Sequence, residues 1–199
     1  MSEISQLALI SLGSNDISVL GDTRVTVQKA MQKVAQITRN TAKKSNLYAT
    51  PAFPPGAGPD FVNAAMAFET DLLPHELLSR LHAIEAEAGR VRTQRWGQRT
   101  LDLDLIALGA HVLPNRAEQT CWRDLSVAQQ QQTTPTQLIL PHPRMQDRSF
   151  VLVPLNDIAP DWQHPILGET IASLCAALSN ADRASVRRLG AADISLNTP

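Results

Sequence analysis

The sequence predicts an α+β sandwich on a largely antiparallel sheet. Strand-like segments outnumber the long helical ones, and neighbouring strands follow each other without a crossover helix between them. Neither a G-x-x-x-x-G-K-[ST] nor a G-x-G-x-x-G loop is present, so any phosphate must be held by side chains and metal.

Leu7 to Leu12 reads as a buried first strand ended by Gly13-Ser14-Asn15. A helix is expected over 22–37, with Val27, Ala30, Met31, Val34 and Ala35 as its apolar stripe and Asp22 or Thr23 as its cap. Residues 41–49 read as a second strand. The prolines and glycines between Thr50 and Asp60 exclude regular structure. Phe61 to Thr70 alternates as a strand, with Val62, Ala64, Met66 and Phe68 on one face and Phe61 and Asn63 on the other. Pro74 opens a helix with the stripe Leu77, Leu78, Leu81, Ile84, Ala88, closed by Gly89. His82 and Glu85 share its flank.

A strand follows to about Leu108. Residues 110–137 carry four consecutive glutamines and little periodicity, which reads as an insertion, mobile in part, with one short helix near 122–132. Phe150 opens an apolar strand, a helix over 168–178 follows, and the polar tail after Asn180 is expected to be ordered only in patches.

A length of 199 residues fits a single domain with a substantial core, and 43% hydrophobic with 19% charged residues is a soluble composition. A net charge of −1 gives no bias toward nucleic acid or membrane surfaces. Cys121 and Cys175 lack metal-ligand spacing, the N-terminus lacks a signal-peptide pattern, and no apolar stretch reaches membrane-span length. A cytoplasmic monomer is expected.

The chemistry concentrates in Arg95-Trp96-Gly97-Gln98-Arg99-Thr100-Leu101-Asp102-Leu103-Asp104. Leucines alternate with aspartates, so both carboxylates leave one sheet face about 7 Å apart. Like charges at that spacing repel, and a hard divalent cation with substrate phosphates would relieve them. Arg90, Arg92, Arg95 and Arg99 lie just upstream, expected to lack partners until phosphates arrive and to form a mobile segment that closes over them. A D-x-D alone more often marks a solvated strand; with four arginines and a Trp-Gly turn beside it, a polyphosphate site is the better reading.

Seven ordered blocks resemble one family. They are Ser11-Leu12-Gly13-Ser14-Asn15; Tyr48-Ala49-Thr50-Pro51; Pro59-Asp60-Phe61-Val62-Asn63-Ala64-Ala65; Ile84-Glu85 with Gly89-Arg90-Val91-Arg92; the Arg95–Asp104 stretch; Leu140-Pro141-His142-Pro143-Arg144-Met145 with Arg148-Ser149-Phe150-Val151-Leu152; and Pro154-Leu155 with Ile158-Ala159-Pro160. The chain resembles the 6-hydroxymethyl-7,8-dihydropterin pyrophosphokinases of folate biosynthesis over roughly 7–108 and 138–178. The resemblance implies a ferredoxin-like fold and transfer of the β,γ-diphosphate of ATP to the pterin hydroxymethyl group, with release of AMP.

By position it implies that Asp102 and Asp104 hold two Mg²⁺ ions and that Arg90, Arg92, Arg99 and Trp96 serve catalysis. It implies nucleotide contacts at Glu85, Arg90, Arg92, Arg99, Leu105, His142 and Arg148, and pterin contacts at Thr50, Phe61, Asn63, Trp96 and Phe150. Each has a plainer alternative: Phe150 and Phe61 as core, Asn63 as an edge polar residue, His142 as a turn pin, Glu85 as a solvated flank or an arginine partner. The sequence departs from the family at Gln98, where proline is usual, at His82, where glutamine is frequent, and at Gln137, near the place of a phosphate-binding arginine, with Arg116 and Arg123 in the insertion as alternative sources of that charge. The rival is a non-catalytic pterin- or nucleotide-binding relative or scaffold; retention of both aspartates argues against it.

Overall fold

The computed structural model describes residues 5–38, 41–52, 58–90 and 99–190. Strand β1 (Gln6–Ser14) leads into helix α1 (Thr23–Ala35), whose first turn is capped by Asp22 accepting from Val25 N at 2.8 Å. The short strands β2 (Lys43–Lys44) and β3 (Tyr48–Thr50) precede β4 (Phe61–Thr70), α2 (Pro74–Glu87) and β5 (Asp102–Leu108). The expected strand over 41–49 is therefore split. At the break Ser45 N donates to Ala65 O and Ser45 Oγ accepts from Ala65 N, so a side chain takes over part of the ladder.

Every strand pair in the sheet is antiparallel, and the order along it is β5-β1-β4-β3, extended at the far edge by β6 (Arg187–Arg188), with β2 also on β4. A βαββαβ unit with this order is the ferredoxin-like arrangement. Its hydrophobic sheet face is covered by α1 and α2, where Ile10, Leu12, Val27, Val34, Met66, Phe68, Leu77, Leu81 and Leu103 form one core. The opposite face is covered at one end by α5 (Ser149–Asn156) and α6 (Ile171–Ala177), through Leu9, Ala65, Ile106, Val151, Leu152 and Ile171.

The segment 149–156 is helical, not the strand expected. Its apolar run is buried against the sheet, and a short continuous apolar run has no period that separates helix from strand. The stretch 110–137 holds two helices, α3 (Arg116–Arg123) and α4 (Val127–Gln132), capped by Asn115 and Ser126, where one near 122–132 was expected. Beyond α7 (Asn180–Ser185) the tail adds β6 to the sheet edge, as Leu189 N donates to Leu47 O.

Candidate active site

Register places the chemistry. Gly13 of β1 is opposite Asn63 on one side and Asp102 on the other, and two residues earlier Ser11 lies between Ala65 and Asp104. Because side chains alternate, Phe61, Asn63, Asp102 and Asp104 all rise from the face that bears α5, beyond the end of that helix-covered core. A Cβ on Gly13 would come 2.8 Å from Asn63 Oδ1 and 3.8 Å from Phe61 Cδ1, so only glycine leaves room for the amide here. Further along, the β1–β5 register shifts between Leu9 and Ile10, a bulge that leaves Ile106 O to accept from His142 N at 2.7 Å. The bulge thus anchors the Pro141-His142-Pro143 turn to the edge strand.

Of the residues that the resemblance assigns to the pterin, Asn63 Nδ2 donates to Thr50 Oγ1 at 2.6 Å, both side chains being buried. Asn63 is therefore not the edge polar residue of the plainer reading. Phe61 is half-buried at the start of β4. Phe150 packs partly against the second core, and the Arg148 guanidinium lies over its ring, 5.5 Å from the centroid.

The carboxylates are differently engaged. Arg90 Nη1 lies 2.6 Å from Asp102 Oδ1, and Arg99 pairs with the second oxygen of the same carboxylate. These two arginines do not wait for phosphates, as their sequence clustering suggested. They already neutralise Asp102, because the end of α2 meets the start of β5 there. Burial alone would weaken Arg90 as a base, but Asp102 and Glu85 outweigh it and hold its pKa above the ordinary value. Asp104 is freer, its side chain 38% exposed against 17% for Asp102, with Arg148 Nη1 at 3.9 Å. Among the described residues no group of three or more His, Cys, Asp or Glu gathers. A cation here would rest on two carboxylates and on substrate phosphates, which is how Mg²⁺ is ordinarily held. The donor set fits it.

Glu85 is no solvated flank. It is 2% exposed, pairs with Arg90 and accepts from Leu103 N at 2.8 Å, capping the open edge of β5. With His82, Ala86 and Arg90 it lines an open depression of about 260 Å³ on the flank of α2. The side chain of Leu105 belongs to the core under the helices, so any nucleotide contact there falls to its backbone. Arg92, Arg95, Trp96 and Gln98, and with them the expected closing segment, lie outside the described residues. Gln137 donates to Glu118 at 2.6 Å, Arg116 to Pro165 O at 3.1 Å, and Arg123 pairs with Asp124 at 2.9 Å. Gly13 and Asn15 were legible in the sequence only as the end of a strand and as members of a motif.

His142 does pin its turn: its Nδ1 accepts from Arg144 N at 3.1 Å, which leaves Nε2 to carry the proton. Burial, reinforced by Arg148 and Arg144, brings its pKa down to about 3. The unfolded ring titrates near 6.5, so below about that pH the unfolded chain takes up a proton that the folded one refuses. Stability contributed by the neutral ring is whole above pH 6.5 and drains away as pH falls toward 3. Melting temperature followed by calorimetry from pH 7 to pH 4 should therefore drop less steeply in His142→Gln than in the wild type. Parallel curves would show that the ring titrates normally.

Comparisons agree with this geometry. A family model described as 7,8-dihydro-6-hydroxymethylpterin-pyrophosphokinase (HPPK) matches residues 9–160. A 2-amino-4-hydroxy-6-hydroxymethyldihydropteridine pyrophosphokinase from Pseudomonas aeruginosa is 39% identical over 174 residues, covering 86% of this chain and 91% of the relative. The Synechocystis protein of that name is 38% identical, over 84% of this chain and 73% of its own length. The one from Methylorubrum extorquens is 36% identical, over 92% and 98%. Among solved structures, Plasmodium falciparum HPPK-DHPS matches with a TM-score of 0.58 at 14% identity, over 87% of this chain and 44% of that one, a likeness of fold.

Proposed function

We propose that this chain, which belongs to the 7,8-dihydro-6-hydroxymethylpterin-pyrophosphokinase family, transfers the β,γ-diphosphate of ATP to the hydroxymethyl oxygen of 6-hydroxymethyl-7,8-dihydropterin in folate biosynthesis and releases AMP. The observation that carries this reading is the row Asn63–Gly13–Asp102. It sets an amide able to read a heterocycle edge two strand spacings, roughly 10 Å, from a carboxylate able to organise phosphates. Thr50 holds the amide in place. Phe61 and Phe150 offer the stacking area that a flat ring needs.

In this reading the hydroxymethyl oxygen attacks the β-phosphorus of ATP, and the bond from that phosphorus to the oxygen shared with the α-phosphate breaks. AMP leaves with the bridging oxygen, and the hydroxyl proton passes to water. Such transfers need alignment and neutralised oxygens more than covalent help. Arg90 and Arg99 stand beside Asp102 and are placed to exchange that carboxylate for phosphate oxygens through paired donors. Arg148, held over Phe150, sits between the pterin wall and Asp104. Asp102 and Asp104 would hold Mg²⁺, two ions in all, which neutralises phosphate oxygens and polarises the hydroxyl. Arg92 and Trp96 join the site by position in the family motif, and Glu85 and His142 border its nucleotide side. No described helix is long and apolar enough to cross a membrane. A cytoplasmic monomer acting on small molecules, without nucleic acid, completes the proposal, with 110–137 as an insertion in a single domain.

A non-catalytic binder of the same ligands would form the same pockets without turnover. Incubation with ATP, Mg²⁺ and the pterin alcohol is expected to yield one AMP per pterin consumed and no ADP. ATP left intact in the presence of the pterin, or ADP as the stoichiometric nucleotide, would overturn the assignment.

A further inference from the structure

Between the pterin-side and phosphate-side residues runs a connection made by one buried amide. Asn15 follows β1 directly and is 6% exposed. Its backbone N–H donates to Arg99 O at 3.1 Å, and its Oδ1 accepts from Arg99 N at 2.8 Å. The other end of the amide faces the opposite half of the site: Nδ2 donates to Pro59 O at 3.4 Å, and a Cβ added to Gly58 would lie 3.8 Å from the same nitrogen. Next to it, Ser14 Oγ donates to Thr100 O at 2.6 Å. Pro59 stands two residues before Phe61, and Arg99 three before Asp102.

The chain that follows Asn15 is itself fixed. Ser18 and Gly21 exchange backbone hydrogen bonds at 2.9 and 3.1 Å, Ser18 Oγ pairs with Thr26 at 2.6 Å, and Asp22 caps α1. A buried side chain at the end of a central strand, with its acceptor committed to one strand entry and its donor to the other, transmits a shift of either to the other. We propose that Asn15 is a positioning residue that couples the two substrates, so that seating the nucleotide against Arg99 settles Pro59 and Phe61 for the pterin, and the reverse. Coupling of this kind is reciprocal and resides in a shared element whose arrangement both ligands bias. The inference rests on the pyrophosphokinase reading, since it needs both ligands.

Asn15→Asp keeps the acceptor for Arg99 N–H and removes the donor to Pro59; Asn15→Ala removes both. Calorimetry on the full chain with Mg²⁺ would measure 6-hydroxymethylpterin and α,β-methylene-ATP, each alone and then together. In the wild type the nucleotide should raise pterin affinity by about tenfold or more. In Asn15→Asp each ligand alone should bind within about threefold of wild type while the enhancement falls below about threefold. In Asn15→Ala the enhancement should vanish and the nucleotide alone should weaken as well. An enhancement undiminished in Asn15→Asp, or absent in the wild type, would overturn the coupling. So would a fall of both separate affinities and of melting temperature with the enhancement intact, which is what a purely structural asparagine gives. Wild-type protein that binds neither ligand would overturn the functional reading and the coupling with it.

Discussion

Replacing Asp102 or Asp104 by asparagine is expected to lower turnover by about 10²–10³-fold or more, the scale of loss when charge stabilisation is removed where transition-state charge develops. Asparagine keeps the volume and one oxygen but not the negative charge, so a cation and its phosphates lose their anchor. The two variants should part company in stability. Sequence reasoning treats the carboxylates as a repelling pair whose loss would, if anything, relieve the fold. In the structure Asp102 is instead the shared partner of Arg90 and Arg99, whose side chains are only 18% and 33% exposed. Asp102→Asn therefore leaves two partly buried cations short of charge and should lower the melting temperature. Asp104→Asn, whose nearest cation among the described residues is Arg148 at 3.9 Å, should leave it almost unchanged. Kinetics at saturating Mg²⁺ and thermal unfolding of both variants check the pair of claims. Near wild-type turnover in either variant would refute the metal role.

Gly13→Ala is expected to weaken pterin binding by about tenfold to a hundredfold, since displacing a positioning contact by a fraction of an ångström is costly. The new methyl would meet Asn63 Oδ1 at 2.8 Å, with the β1 backbone unable to give way because it is paired on both sides. The amide must turn aside, which breaks its bond to Thr50 and its alignment with a heterocycle edge. The methyl is opposite Asp102 as well, but its three nearest neighbours all belong to Asn63 and Phe61, so nucleotide affinity should change by no more than about threefold. Calorimetry with each ligand separates these effects. Asn63→Ala is the companion variant, with the amide gone and the backbone untouched; it should lose pterin and keep nucleotide to a similar extent. Equal losses for both ligands in both variants would mean that this row supports the fold and not the pterin.

The elements with a clear period were legible in the sequence. The alternation of Phe61 to Thr70 emerged as β4 with its faces as expected, and the stripe from Leu77 to Ala88 as the buried side of α2, except that Leu78 stays half-buried outside the core and Glu85 is buried with the stripe. The D-x-D strand likewise put both carboxylates on one face. What failed was local pattern without a period. The run 150–155 is apolar throughout because α5 lies against the sheet, and nothing in it distinguishes the helix from a strand. Nor does composition reveal that Ser45 would substitute for a ladder bond and split the second strand, or that Arg187 and Arg188 would extend the sheet edge.

In the site, residue types announced the chemistry but not the pairing. Arginine near aspartate was visible, yet that Arg90 and Arg99 share one carboxylate depends on where the end of α2 meets β5. Glu85 illustrates the same limit: its carboxylate is taken up by the open edge of β5, a strand that arrives later in the chain. Gly13 and Asn15 carry no chemical signal of their own. Their roles arise from register and from contacts 44 and 84 residues away.

Phosphorus NMR of the pterin product tests the central claim most directly. Transfer of the β,γ-diphosphate as a unit predicts two mutually coupled phosphorus resonances on the pterin, growing in step with the single resonance of AMP. A single uncoupled phosphate on the pterin, accompanied by the paired resonances of ADP, would contradict it.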